Sequence, residues 1–397
     1  LNWYYLEESA KTEFRFITAM SNTERTDILN MVVTKLQEKY PNIEFVNDSG
    51  ADYNGRAKLA FSSGAGYDLI LTDDLGISPI RDAGYLMDLS PYFEKYNWED
   101  RQNEGASDFY NQRTPGQRYT VGMNYAPVTV YYNKTIFEEL NLEIPKTLAE
   151  YENILKVATE AGYIGAENAK ENVNGWYIQS MVQNFAPYED ILNWYYLEES
   201  APSIGEAFKT SFDLVKKWSD AGYFRDDYEG IDYGDTPMLF SQGKTAMSLD
   251  GNWMLNGYED GGVDVGIFAF PSVEDPNQQV VIINPVDAAF GIGAQASEKN
   301  KEIAVEFIDL MLTPEIAENW LTVGSIPSVT AEYSNEAASP LTQELLNAIK
   351  DTKSGYYLDN AKAGFLDVFI KEIQLFTAGD QTSEETWGNI DKFWNEQ

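Results

Sequence analysis

A tryptophan lies where an apolar stretch of the chain runs into a turn. The segment Leu239–Met254 reads LFSQGKTAMSLDGNWM, and its Asp250 and Gly251 mark the end of a strand. The ring of Trp253 can therefore face a cleft, although a core position is the alternative interpretation. An aromatic face beside a carboxylate suits a ligand that has apolar faces and a rim of hydrogen-bonding groups. We expect Trp253 and Asp250 to contact such a ligand.

Three further residues are candidates for the same site. Asn124 and Tyr125 lie between the apolar runs Tyr119–Met123 and Val128–Tyr132, where the chain leaves one strand and enters the next. Trp176 stands in the segment ENVNGWYIQS and could equally belong to a core. Large aromatic side chains usually bury their surface. We nevertheless expect Tyr125, Asn124 and Trp176 to line the cleft.

Several acidic and amide side chains sit where ligands commonly bind in α/β proteins. Asp73 and Asp74 follow an apolar strand, and ligands of open α/β sheets bind beyond the carboxyl ends of strands. Asp287 lies inside an apolar strand, where an unpaired charge would be unfavourable. It therefore either bonds a partner within the protein or accepts a hydrogen bond from a ligand. Asn22, just after the first strand, is a further candidate, whereas most of the 64 Asp and Glu residues are solvated surface.

The composition excludes several kinds of chemistry. The chain of 397 residues contains no Cys and no His, so disulfides, thiolate chemistry, Ser-His-Asp triads and imidazole metal ligands are all absent. A net charge of −36 repels the phosphate backbone of nucleic acids. We expect no cofactor, no metal site and no nucleic-acid partner.

The elements that must position these residues follow an alternating pattern. The apolar spacing predicts a strand at 14–17, a helix at 29–36, a strand at 43–46, a helix at 56–61 and a strand at 67–71. This βαβαβ order predicts a parallel sheet with helices on both faces. Thr147 with Glu150, and Thr382 with Glu385, predict helix-starting capping boxes. The helix that contains Phe208, Phe212 and Trp218 should bury these rings in a core.

One decapeptide occurs twice. The letters LNWYYLEESA fill positions 1–10 and again 192–201, and no neighbouring sequence extends the similarity. Chance identity over ten such residues is implausible, and the pattern is not that of a repeat protein. We expect the first copy to be an artefact outside the fold, and the second to be an amphipathic segment of its domain.

Five segments occur in the order of a known protein family. They are YTVGMNYAPVTVYYNK at 119–134, TIFEELNLEIPKTLAEYENILKVATEAG at 135–162, the segment at 239–254, NPVDAAFGIG at 284–293, and EIAVEFIDLMLTPEIAENWLTVGSIPSV at 302–329. Together they resemble the family 1 extracellular solute-binding proteins of ABC importers, especially the maltose- and raffinose-type sugar receptors. Residues 1–10 have no counterpart in that family, and the N-terminal Cys of the mature lipoproteins is missing.

The resemblance implies a fold and a division into lobes. The expected fold is α/β and two-lobed, like the periplasmic binding proteins, with a mainly parallel, helix-flanked sheet in each lobe and several chain crossings. Lobe 1 should contain residues 11–125 and 284–325, and lobe 2 residues 126–283 and 326–397. The family places a matching Trp at Trp253, and the raffinose-type receptors carry an Asp at the position of Asp287.

The resemblance also implies a function. We expect a monomeric, non-enzymatic receptor that closes its lobes on an oligosaccharide and delivers it to the permease subunits of an ABC importer. It should be extracellular and lipid-anchored to the outer face of the cytoplasmic membrane. Three alternatives stay open: a peptide or polyamine receptor of the same fold, a glycoside hydrolase, which needs only two carboxylates, and a calcium-dependent adhesin. Only the acidic stretch 226–235, DDYEGIDYGD, suggests the adhesin, and we interpret it as a solvated loop because it lacks the order of an EF-hand loop.

Overall fold

Strands and helices alternate along the chain in a computed structural model. It describes residues 12–19, 23–50, 52–103, 106–107, 111, 114, 116–170, 173–196, 201–284, 286–334, 336–362 and 364–396. At residues 23–24, 74–75, 173–174, 284 and 286–287 only the backbone is described. The first decapeptide and Asn22 lie outside the described residues, as do the side chains of Asp74 and Asp287.

The element bounds follow the apolar runs of the sequence. The strands are β1 (Thr12–Thr18), β2 (Ile43–Asn47), β3 (Leu69–Thr72), β4 (Val121–Tyr125), β5 (Val128–Asn133), β6 (Ile164–Ala166), β7 (Thr245–Gly251), β8 (Val265–Phe268), β9 (Val280–Asn284), β10 (Val286–Ile292), β11 (Ile326–Pro327) and β12 (Lys353–Tyr356). The helices are α1 (Thr23–Lys39), α2 (Tyr53–Ser62), α3 (Asp74–Asp82), α4 (Ser90–Tyr96), α5 (Lys134–Glu139), α6 (Leu148–Glu160), α7 (Val173–Phe185), α8 (Tyr188–Tyr195), α9 (Pro202–Asp220), α10 (Thr236–Phe240), α11 (Leu255–Glu259), α12 (Glu298–Met311), α13 (Pro314–Ala317), α14 (Pro340–Ile349), α15 (Phe365–Thr377) and α16 (Ser383–Asn395). Within the described part of the chain, no helix is long and apolar enough to cross a membrane.

The chain divides into two compact units. Unit 1 takes in the residues up to Asn124, Val286–Trp320 and Pro327–Tyr333, and unit 2 takes in Tyr125–Pro285, Leu321–Ile326 and the residues from Ser334 onward. The predicted lobes differ from these units by one residue at 125 and by two residues at 284–285. They differ more near residue 326, because residues 321–325 group with unit 2 and residues 327–333 with unit 1.

Hydrogen bonds explain where the chain changes unit near residue 326. The carbonyl of Gly324 accepts from Asn252 Nδ2 of unit 2 at 2.8 Å. The backbone N–H of Ser328 instead donates to the carbonyl of Met123 in unit 1 at 2.9 Å, and that of Thr330 donates to Arg101 at 2.9 Å. Buried backbone groups need such partners, so each short segment groups with the unit that supplies them.

Each unit has its own main sheet, both of these sheets are mixed, and unit 2 also contains a two-stranded parallel sheet of β9 and β12. In the unit 1 sheet the strand order is β11-β4-β10-β3-β1-β2; β1 runs parallel to β2 and β3, whereas β10 runs antiparallel to β3. In the unit 2 sheet the order is β6-β7-β5-β8; β6 and β7 are parallel, but β5 is antiparallel to both of its neighbours. The α/β class is confirmed, and the expectation of a mainly parallel sheet is corrected for unit 2, where β5 is antiparallel to both of its neighbours. Parallel neighbouring strands need a crossover connection between them. Strand β10 instead enters the unit 1 sheet directly after β9 of unit 2 and runs antiparallel to β3.

The predicted helix starts and core rings of unit 2 are confirmed. Thr147 and Glu150 form a reciprocal capping box at α6, and Thr382 and Glu385 form another at α16. The side chains of α9 that were expected in a core are fully buried: Phe208, Phe212 and Trp218. In the second decapeptide, Trp194 of α8 stacks on Trp394 of α16, with ring centroids 3.8 Å apart, so Trp194 belongs to the core of unit 2.

Candidate functional site

Strand β7 ends in the turn that carries the candidate tryptophan. Every residue of β7 is buried, and a 3₁₀ turn, Asn252–Met254, follows Gly251 directly. Asn252 fixes this turn, because its backbone N–H donates to the carbonyl of Pro127 at 3.0 Å and its Nδ2 donates to the carbonyl of Tyr125 at 3.3 Å. The chain segment that enters unit 2 is therefore hydrogen-bonded to the turn.

The carboxylate of Asp250 is fully buried and hydrogen-bonded at both oxygens. Its Oδ1 accepts from the backbone N–H of Gly251 at 2.8 Å and from the hydroxyl of Tyr233. Its Oδ2 accepts from the hydroxyl of Tyr258 at 2.9 Å and lies 3.1 Å from that of Thr236. Burial raises the pKa of Asp250 to about 6, because desolvation outweighs the donors that favour the charged form.

This geometry gives Asp250 a different role from the expected one. The residue has no exposed surface, and its oxygens already accept from donors of the protein. A sugar hydroxyl could reach the carboxylate only by displacing one of them, which would leave that donor without a partner. We therefore assign Asp250 to the support of the site.

Trp253 is partly exposed and held from two sides. Its Nε1 donates to the hydroxyl of Tyr233 at 3.0 Å. Its six-membered ring lies against the backbone of Gly251, where a Cβ atom would come within 2.2–2.3 Å of three ring carbons. Only glycine leaves room for this ring position.

Two buried rings complete what we call the aromatic corner, formed by Trp176, Trp253 and Tyr357. The ring centroids of Trp176 and Trp253 are 5.9 Å apart, and those of Trp176 and Tyr357 are 5.6 Å apart at 83°. Trp253 and Tyr357 lie 6.4 Å apart. Trp176 and Tyr357 are buried, whereas Trp253 is partly exposed, so Trp253 is the ring of the corner that can offer a face to a ligand.

Helix α7 and the 3₁₀ turn at Leu358–Asn360 hold the buried rings. Gln179 of α7 donates to Asp359 Oδ2 at 3.0 Å and accepts from the backbone N–H of Leu358 at 2.8 Å. The hydroxyl of Tyr357 donates to the carbonyl of Ala126. The N–H of Trp176 lies near enough to the Tyr233 hydroxyl to influence its pKa but has no hydrogen bond of normal geometry within the described residues.

The acidic stretch 226–235 belongs to this site and is more than the solvated loop we expected. In this stretch the hydroxyl of Tyr233 donates a hydrogen bond to Asp250. Burial raises the pKa of the Tyr233 phenol well above its usual value, and the nearby negative charge of Asp250 raises it further. Asp232 pairs with Lys170 at 2.5 Å, and Asp227 pairs with Arg225 at 2.7 Å. Among the described residues no three acidic side chains form a group that could hold a metal ion.

The other predicted residues that the structure describes lie on elements that do not carry the rings of the aromatic corner. Asp73 caps α3, accepting from the backbone N–H of Gly76 at 2.9 Å and from the hydroxyl of Tyr53 at 3.2 Å. Asn124 is fully buried at the end of the first chain segment of unit 1. Tyr125 packs against a small apolar cluster, Ala269, Val281 and Ile283, and burial raises the pKa of its phenol to about 12. Asp74 begins α3 and Asp287 lies in β10, but only their backbone is described. Asn22 lies outside the described residues.

Sequence reasoning missed Tyr233, Tyr357 and Gln179. Tyr233 was hidden among five acidic residues that suggested solvent exposure, and Tyr357 stands in a Tyr-Tyr pair with no other distinguishing feature. Gln179 was detectable, since Gln179 and Gln183 lie one turn apart on a largely apolar helix. Such buried amides need partners, and Gln183 indeed bonds both backbone groups of Tyr356.

Comparisons with known proteins agree with this architecture. Residues 21–318 match the family described as bacterial extracellular solute-binding proteins. The multiple sugar-binding protein of Streptococcus mutans serotype c is 25% identical over 263 residues, which cover 63% of this chain and 60% of that relative. This chain thus spans less than two thirds of that relative's length.

A second relative and a solved structure match a larger share of this chain. The maltooligosaccharide ABC transporter solute-binding lipoprotein of Streptococcus pneumoniae serotype 4 is 22% identical over 339 residues, covering 81% of this chain and 74% of the relative. The solved structure of the solute-binding protein RafE in complex with raffinose superposes with a TM-score of 0.76 at 19% identity, covering 97% of this chain and 99% of that one. The family match spans well over half of the sequence, and the chain belongs to the bacterial extracellular solute-binding proteins.

Proposed function

We propose that this protein is a carbohydrate receptor that binds an oligosaccharide and delivers it to the permease subunits of an ABC importer. It carries out no reaction on the sugar. The observation that supports this proposal most strongly is the aromatic corner, in which a fixed and partly exposed indole stands beside two buried rings.

The chemistry of the corner suits a neutral sugar. A pyranose has apolar C–H faces that stack on an aromatic ring and hydroxyls that both donate and accept hydrogen bonds. Trp253 can supply the stacking surface, and the neighbouring rings can exclude water from it. The hydroxyls need polar partners once buried, at about 1–3 kcal/mol for each group left unpaired. We propose Asn124, Asp73, Asp74, Asp287 and Asn22 as candidates for those partners, with Tyr125 as a second aromatic contact.

The names of the relatives support the same class of ligand. One relative is called a multiple sugar-binding protein, another is a maltooligosaccharide lipoprotein of an ABC transporter, and the RafE structure contains raffinose. By this analogy we propose an α-linked oligosaccharide as the ligand, an importer as the partner, and a lipid anchor on the outer face of the cytoplasmic membrane.

Titration calorimetry with and without Trp253 tests the proposal. Wild-type protein is titrated with α-galactoside, isomalto-, malto-, xylo- and manno-oligosaccharides, and the best ligand is then titrated into Trp253→Ala. Loss of the stacking surface should weaken binding by about 30- to 1,000-fold, because an aromatic contact adds about 0.5–1.5 kcal/mol beyond the burial of its area.

Trp387→Ala is the matched control. Trp387 is also partly exposed and lies in unit 2, where it stacks on Phe208 with centroids 5.0 Å apart. Its loss should lower the melting temperature and leave affinity unchanged. Normal sugar binding by Trp253→Ala would show that the aromatic corner is not the site. Release of shorter sugars by the wild type would identify a hydrolase, and binding of peptides or polyamines alone would identify a different receptor.

A further inference from the structure

The aromatic corner contains a hydrogen-bond chain whose direction is fixed by chemistry. An indole N–H can only donate, so the hydroxyl oxygen of Tyr233 accepts from Trp253 Nε1 at 3.0 Å. The hydroxyl has a single proton, and that proton is donated to Asp250 Oδ1. The order is therefore Trp253 to Tyr233 to Asp250, and each bond polarises the next.

The segment that carries Tyr233 is fastened without any help from Trp253. The backbone N–H of Lys170 donates to the carbonyl of Ile231 at 3.1 Å, and the Lys170 ammonium pairs with Asp232 at 2.5 Å. At the start of the segment, Arg225 pairs with the fully buried Glu167 at 3.1 Å. The chain that leads to Tyr233 is thus held at the start of the acidic stretch and again directly before Tyr233.

Asp250 fixes the accepting end of the hydrogen-bond chain. Its carboxylate is held by the backbone N–H of Gly251 and the hydroxyl of Tyr258, at 2.8 and 2.9 Å. The tyrosine hydroxyl between Asp250 and Trp253 therefore has one orientation, and the indole that donates to it has one preferred ring plane.

We propose that Tyr233 is a positioning residue, which fixes the ring plane of Trp253 in the ligand-free protein so that the stacking face is ready for the sugar. This proposal deepens the proposed function and rests on it. A side chain that is already ordered loses less conformational entropy on binding. Tyr233 raises affinity in this way without touching the ligand.

A double-mutant cycle tests the route through the indole N–H. Tyr233→Phe keeps the ring and removes the hydroxyl, and it should weaken oligosaccharide binding about 3- to 10-fold, the range expected for one hydrogen bond. Trp253→Phe keeps an aromatic face and has no N–H to donate. In that background, Tyr233→Phe should change the dissociation constant less than 2-fold. Tyr151→Phe, which removes a buried hydroxyl bonded to Tyr177 in the same unit, should bind like the wild type.

A second measurement follows the ring itself in the absence of sugar. In protein labelled with 5-fluorotryptophan, the ¹⁹F resonance of Trp253, assigned through Trp253→Phe, should be a single sharp line. In Tyr233→Phe it should broaden or split, while the resonances of the tryptophans outside the aromatic corner stay unchanged. A merely structural role of Tyr233 would shift several resonances and the melting temperature together.

The outcomes separate this proposal from the proposed function. An unchanged Trp253 resonance and wild-type affinity in Tyr233→Phe would overturn the positioning role. An equal affinity loss in both backgrounds would overturn it too, because Tyr233 would then act independently of the indole N–H. If Trp253→Ala binds sugar normally, or the wild type binds none, the proposed function fails, while the ligand-free ¹⁹F spectra still decide whether Tyr233 orders the ring.

Discussion

Burial and hydrogen bonding act in opposite directions on the carboxyl group of Asp250. Removal from water favours the protonated acid, whereas the donors from Tyr233, Gly251 and Tyr258 favour the carboxylate. The result is a pKa of about 6, above the ordinary value of 3.8. The folded protein therefore takes up a proton in a range of pH where the unfolded chain does not.

This difference predicts how stability depends on pH. Because the folded-state pKa is raised, the contribution of Asp250 to the free energy of unfolding grows as the pH falls through about 6 and is lost as the pH rises through it. Between pH 7 and pH 5 the wild type should gain about 1 kcal/mol relative to Asp250→Asn. Urea unfolding of both proteins at the two pH values measures the gain.

Asp48→Asn is the control for this measurement. The hydroxyl of Tyr67 and the guanidinium groups of Arg56 and Arg15 lower the pKa of Asp48. Its contribution is therefore present above pH 3.8 and is lost only at lower pH, so the substitution should leave the dependence between pH 7 and 5 unchanged. Parallel wild-type and Asp250→Asn curves would contradict the raised pKa.

At the scale of single residues, sequence reasoning identified residue types better than roles. Trp253 and Trp176 were selected because of their neighbours in the chain, and both stand in the aromatic corner. Asp250 was also selected, but its burial depends on Tyr233 of the acidic stretch, Thr236 of α10 and Tyr258 of α11. A pattern in one segment does not reveal which distant hydroxyls will surround its carboxylate.

At the scale of elements, strand β7 and its turn place the indole by close packing. The backbone of Gly251 has ordinary extended dihedral angles, φ −81° and ψ 155°, so it is the contact with Trp253 and not the backbone conformation that requires glycine. A methyl group there would force the ring to move, because overpacking costs about 1–3 kcal/mol.

Gly251→Ala should therefore weaken sugar binding at least 10-fold by displacing the ring of Trp253. In a Trp253→Ala background the same substitution should have little effect on the melting temperature, since the clash is gone. Calorimetry and thermal unfolding measure the two effects. Gly388→Ala is the control, because a Cβ atom at that helical position meets no atom within 4 Å. Wild-type affinity in Gly251→Ala would contradict the close contact.

Helix starts were the best-predicted elements, because their signals are local. The two capping boxes form between residues three positions apart, and both are present as predicted. Strand direction was predicted less well. Whether β5 runs parallel or antiparallel to β7, more than a hundred residues away in sequence, depends on how the intervening chain returns, and no local pattern encodes that path.

At the scale of the whole molecule, the proposed receptor function predicts that the protein closes on its ligand. A sugar that contacts both units stabilises the state in which both can reach it. We therefore expect the radius of gyration from small-angle X-ray scattering to fall when the best oligosaccharide is added. At 100 times the dissociation constant the ligand should also raise the free energy of unfolding by about 2.7 kcal/mol.

Trp253→Ala at the same sugar concentration is the control for this scattering experiment. Because its affinity should be about 30- to 1,000-fold weaker, only about 9–77% of it would then be occupied, so its radius of gyration should fall less than that of the wild type. An unchanged radius of gyration in wild-type protein whose raised stability shows saturation would contradict closure.

Because Trp253 is partly exposed, the intrinsic tryptophan fluorescence of the protein can report on ligand binding. Of the tryptophans that the structure describes, Trp98, Trp194, Trp218 and Trp320 are fully shielded from solvent, whereas Trp253 and Trp387 are within its reach. Of the described indoles, a dissolved collisional quencher such as acrylamide thus reaches few, and one of them is the proposed stacking ring. A bound sugar would cover that indole and shield it from the quencher. The fluorescence of the unlabelled protein can then report how much of the site is occupied, and Trp387→Ala would remove the other partly exposed tryptophan of the described residues.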